Sequence, residues 1–60
     1  MGNKTPKLSF DDAVQVWLMR WSGMYQHDIA AHFAENQGRI SEILTGKRYL
    51  GSETAARRVA

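Results

Sequence analysis

The stretch from Gln26 to Thr45 reads QHDIAAHFAENQGRISEILT, and the spacing of its apolar residues decides the fold. Ile29, Ala30 and Phe33 share one face of a helix about two turns long. Ala34-Glu35-Asn36 interrupts that pattern, and a second apolar set, Ile40, Ile43 and Leu44, resumes it at helical spacing. Asn36 is a strong N-cap, because its short side chain can accept from an amide of the first turn. The second helix is therefore expected to begin at Asn36 and to run to about Thr45. Gly46 can take the left-handed conformation that closes a helix, and Lys47-Arg48 place cations at the negative terminus.

Working outward, Ser9 precedes Phe10-Asp11-Asp12, so its hydroxyl can accept from the Asp12 amide while both carboxylates favour the positive helix end. Phe10, Val14, Trp17, Leu18 and Trp21 follow on one stripe, which is read as core and not as a stacking surface for single-stranded nucleic acid. This helix is expected from about Asp11 to Ser22, with Gly23 as its stop. Val16, Met19 and Met24 lie outside the stripe and are candidates for a second contact surface. Downstream, Tyr49 and Leu50 are expected to fold back on the core. The expected organisation is all-α: a flexible leader over 1–8, a compact three-helix domain over 9–51, and a tail or short, frayed fourth helix over 52–60 with Ser52 as its cap.

Sixty residues allow one small core, and 43% hydrophobic with 23% charged residues is ordinary for a folded domain. With no cysteine there is neither a disulfide framework nor a thiolate zinc site, so helix packing alone must hold the fold. The net charge of +2 is mild, but Lys47, Arg48, Arg57 and Arg58 concentrate it in the last third. No apolar run is long enough for a membrane span and no signal-peptide pattern is present, so the expected location is cytoplasmic. His27 and His32 are five apart and fall on different faces, which argues against a metal pair, and no cofactor motif occurs. Asp28 and His32 could pair at i, i+4, but without a nucleophile or an oxyanion hole they make no enzyme.

Two short helices separated by three residues, after a longer amphipathic one, is the layout of a helix-turn-helix domain. Gln26 to Thr45 resembles the twenty-residue helix-turn-helix pattern, with Ile29, Phe33, Ile40 and Ile43 at its buried positions and Ala30 where the helices cross. The run Asn36 to Ile43 followed by Gly46-Lys47-Arg48 further resembles small repressor-like and resolvase-like DNA-binding domains of bacteria, phages and plasmids. Three positions depart from the pattern: Ala34 stands where glycine is usual, Glu35 where an apolar residue is, and Tyr25 where a Ser or Thr cap is. A left-handed alanine costs roughly 1 kcal/mol, so the turn detail is expected to differ or to carry that strain.

The resemblance implies a duplex-DNA-binding regulator, expected to be a repressor acting by operator occupancy and to bind as a homodimer. Its candidate contacts are Asn36, Gln37, Gly38, Arg39, Ser41, Glu42, Thr45, Lys47 and Arg48. Gln37 can pair bidentately with adenine and Arg39 with guanine, while Glu42 can accept from cytosine or hold Arg39 at i, i+3. Gly38 sits where a DNA backbone or base edge could approach closely, and the helix amino terminus with Lys47 and Arg48 would grip phosphates. The competing readings are a protein-binding module that sequesters a transcription factor and the DNA-binding end of a recombinase.

Overall fold

Ser9 starts the first helix as a complete capping box: its Oγ accepts from the Asp12 amide at 3.1 Å, and the Asp12 carboxylate accepts from the Ser9 amide at 3.0 Å. In the computed structural model, which describes residues 8–60, this helix is α1, Phe10–Trp21. It is followed by α2, Gln26–Phe33, α3, Gln37–Leu44, and α4, Ser52–Val59; no strand occurs among the described residues. The chain is a small all-α domain, with the expected leader over 1–8 lying outside the described residues except for Leu8, which packs against the core.

The termini follow from local chemistry. α1 stops at Gly23, whose φ of 106° lets the Gly23 and Met24 amides turn back onto the carbonyls of Arg20 and Met19. α2 closes the same way through Ala34, whose amide reaches the Ala31 carbonyl at 3.1 Å while that of Glu35 reaches Ala30 at 2.9 Å. Ala34 therefore adopts the left-handed geometry (φ 57°) that the sequence put in question, and the turn carries the alanine strain instead of avoiding it. Asn36 caps α3 as expected, its Oδ1 accepting from the Arg39 amide at 3.0 Å. Gly46, at φ 79°, ends α3 with the Lys47 amide bonded to the Glu42 carbonyl at 2.8 Å.

α1 is the hub, packing against each of the other three helices, while α2 and α3 also pack on each other. The core joins Ala13, Val14, Val16 and Trp17 of α1 to Ile29, Ala30, Ile40, Ile43 and Ala56. This turns the buried face of α1 about 60° from the expected stripe, because a helix with three neighbours buries a wide arc and its small residues allow close approach. Phe10 and Trp21, at the two ends, overhang the core at 43% and 41% exposure. Val16, expected on a second contact surface, is fully buried, and Met19 and Met24 pack half-buried against the core. Val16 is therefore not open to a second contact surface, whereas Met19 and Met24 keep part of their surface exposed.

α4 is a full helix joined to the core, not a frayed tail. Its cap is Gly51 at φ 92°, not Ser52. Ser52 is instead buried one residue inside the helix, where its Oγ accepts a hydrogen bond from Trp17 Nε1 at 3.0 Å. That bond satisfies the indole of a largely buried tryptophan, and Ala56 one turn on seals the contact with α1. Leu50, expected to fold back, points outward at 79% exposure, whereas Tyr49 does turn inward.

Candidate nucleic-acid interface

The orientation of α3 is set by Ile40 and Ile43, which are 0% and 1% exposed against α1 and α2. At about 100° per residue this rotation turns Gly38, Ser41, Glu42 and Thr45 away from the core. Gln37 and Arg39 project from the two flanks of that strip, about 200° apart around the helix. Gln37, Gly38, Arg39 and Thr45 are exposed, and Ser41 and Glu42 half-buried. α2 braces the first turn of α3 through Gln26, whose side-chain amide donates to the Gln37 carbonyl at 3.4 Å; nothing in the sequence singled Gln26 out for this.

Several of these side chains already have partners. The Asn36 Oδ1 is committed to the cap, and a Cβ on Gly38 would lie 3.1 Å from it, tighter than an ordinary contact. Gly38 thus has one reason inside the chain, clearance for the cap, beside the close DNA approach expected from sequence. Thr45 Oγ1 donates to the Ser41 carbonyl at 2.8 Å, leaving its lone pairs to face outward as acceptors. Glu42 does not hold Arg39: its carboxylate accepts from Arg48 Nε, which pulls the Arg48 guanidinium from beyond the end of the helix onto its outer strip. That hydrogen bond, then the charge of Glu42, raises the Arg48 pKa further above the ordinary arginine value. Arg39 and Lys47 form no ion pair with any described residue.

Beside the Arg39 flank lies a cleft of about 160 Å³, lined by Leu8, Glu35, Arg39, Ile43, Arg48 and Tyr49. Tyr49 forms its wall from a left-handed backbone at φ 56°, held by a hydrogen bond from the phenol to the Leu8 carbonyl. None of Leu8, Glu35 and Tyr49 was read as a site residue: Glu35 stood out only as a departure from the turn pattern, and Tyr49 only as a residue folding back on the core.

Elsewhere, His27 lies 3.4 Å from Asp28 and stacks on Tyr25, while His32, which could have paired with Asp28, packs edge-on against Phe33 and forms no ion pair among the described residues. No three His, Asp or Glu side chains among the described residues are grouped to hold a metal ion. No helix among them is long and apolar enough to cross a membrane. Compared with known protein families, with curated proteins and with solved structures, the chain matches none.

Proposed function

We propose that this domain is a sequence-specific duplex-DNA-binding regulator of the repressor-like helix-turn-helix kind, with α3 as the helix that enters the major groove. The observation that carries the reading is the rotation of α3. Ile40 and Ile43 face the core, so a polar strip of small and hydrogen-bonding residues lies open along the helix, with α2 bracing its first turn. Such a strip suits a groove whose base edges present donors and acceptors, and Arg39, Lys47 and Arg48 supply cations for the flanking phosphates. Gln37, free at its side-chain amide, is the base reader of the first turn.

The test is selection of a binding site from random oligonucleotides with purified protein, followed by affinity measurements across salt. The expected plot of log affinity against log salt is steep, falling with a slope of about −0.9 for each phosphate neutralised. A flat plot, or no selected site, overturns the reading.

One module of this size buries about 600 to 1,000 Å² on DNA, which seldom gives useful affinity alone, so two copies are expected on an inverted repeat about one helical turn apart. With Val16 buried, the exposed Phe10, Trp21, Tyr25, Leu50 and Val59 are large apolar or aromatic side chains available to a contact between copies. Sedimentation of the saturated minimal site should show two subunits; one subunit would refute the dimer.

A further inference from the structure

The cleft beside α3 brings together features that sequence spacing would not join. Arg39 and Arg48 line it together with the apolar residues Leu8 and Ile43 and with Tyr49. Tyr49 holds its place with a positive φ, a conformation costly for a bulky residue, and its phenol is committed to the Leu8 carbonyl. Strain kept at one residue to shape a cationic cleft is the kind of outlier from which a binding role is inferred. Arg48 is oriented there by Glu42 through Nε, which leaves its terminal Nη groups as donors. Planar guanidinium donors match phosphate oxygens bidentately, and such charge-assisted hydrogen bonds are stronger than neutral ones. Glu35 also lines the cleft but pairs with neither arginine, and its charge opposes an anion.

We infer that this cleft is a phosphate seat, in which Arg39 and Arg48 clasp one phosphate group against Tyr49. On duplex DNA the group is a backbone phosphate beside the groove that α3 occupies, and in this form the inference rests on the DNA-binding reading. Arg39 is then a positioning contact and not the guanine reader that its place in the sequence suggested, consistent with its lying on the flank opposite Gln37.

The test has two arms. In the first, amide and arginine side-chain NMR signals are followed as inorganic phosphate is added, with sodium chloride at matched ionic strength as reference. The expected result is a saturable shift centred on Arg39, Arg48 and Tyr49. Arg39→Ala should weaken it about tenfold or more. Glu35→Gln should tighten it, and Arg58→Ala should leave it unchanged. Small shifts spread over every cation, or equal effects of Arg39→Ala and Arg58→Ala, overturn the inference. The amide spectrum of each variant checks that it remains folded.

In the second arm, Arg39→Ala is titrated with duplexes of selected and random sequence. The expected loss is the same on both, with the salt slope reduced by about one. A loss confined to the selected sequence overturns the phosphate role and leaves the DNA-binding reading standing. If the unmodified protein binds no duplex even at low salt, the DNA-binding reading fails. A saturable phosphate shift would then still support the seat and assign it to a free phosphorylated ligand.

Discussion

Two side chains other than glycine hold a left-handed backbone, Ala34 at φ 57° and Tyr49 at φ 56°, and they do so for different reasons. Ala34 is exposed and makes its turn through backbone bonds alone, so its methyl contributes strain without packing. Ala34→Gly is therefore expected to stabilise the domain by about 1 kcal/mol, less the extra freedom glycine gains in the unfolded chain. For a domain of this size 1 kcal/mol corresponds to about 4 to 8 °C in Tm. Because the glycine term, about 0.4 to 1 kcal/mol, can offset most of that gain, only a clear loss in thermal melts would mean that the turn is not left-handed. Tyr49 is not open to the same substitution, because its ring and phenol form the cleft wall and bond to Leu8. Much at this scale was legible in the sequence: Asn36 and Gly46 are signals whose chemistry is local. Gly38 was legible as an anomaly but its cause was not, since the 3.1 Å clearance to Asn36 depends on the cap's side-chain rotamer.

At the scale of elements, periodicity placed α1, α2 and α3 to within a residue or two, because each carries enough apolar residues to define a face. It misjudged the rotation of α1, where large side chains dominated the reading and the fully buried Ala13 and Val16 did not. It undervalued α4, whose anchors are a serine and alanines, residues with little hydrophobic signal of their own. The Trp17–Ser52 bond spans 35 positions of chain, so nothing local announces it. This bond gives a direct test of whether α4 belongs to the core. Ser52→Ala removes the acceptor and leaves a buried indole N–H unpaired, at an expected cost of about 1 to 3 kcal/mol. Thr54→Ala, on the exposed side of α4, should stay within about 0.5 kcal/mol of the parent. Urea unfolding followed by circular dichroism measures both, and equal midpoints for the two variants would show that α4 does not pack as described.

For the molecule as a whole, the DNA-binding proposal divides charge and base recognition around α3, a division that binding measurements can test. Arg39, Lys47 and Arg48 lie toward one flank and the end of the helix, whereas Gln37 occupies the other flank and carries no charge. A neutral side chain contributes nothing to counterion release, so its loss should leave the salt slope untouched. Its amide can satisfy both hydrogen-bonding atoms of an adenine edge, which a random site seldom presents in register. Gln37→Ala is therefore expected to cost about 1 to 3 kcal/mol on the selected site and little on random duplex. The fold should be unaffected, because Gln26 bonds the Gln37 carbonyl and not its side chain. A charge control needs a cation away from α3 whose removal disturbs nothing else. Arg57 is unsuitable, since it sits 5.3 Å over the Trp21 ring and pairs with Glu53 at 2.7 Å. Arg58 is exposed and has no ion-pair partner among the described residues, so Arg58→Ala should leave the ratio of specific to random binding nearly unchanged. With titrations at one fixed salt, equal losses for Gln37→Ala on both duplexes would remove it from base reading. No loss on either would take Gln37 out of the interface.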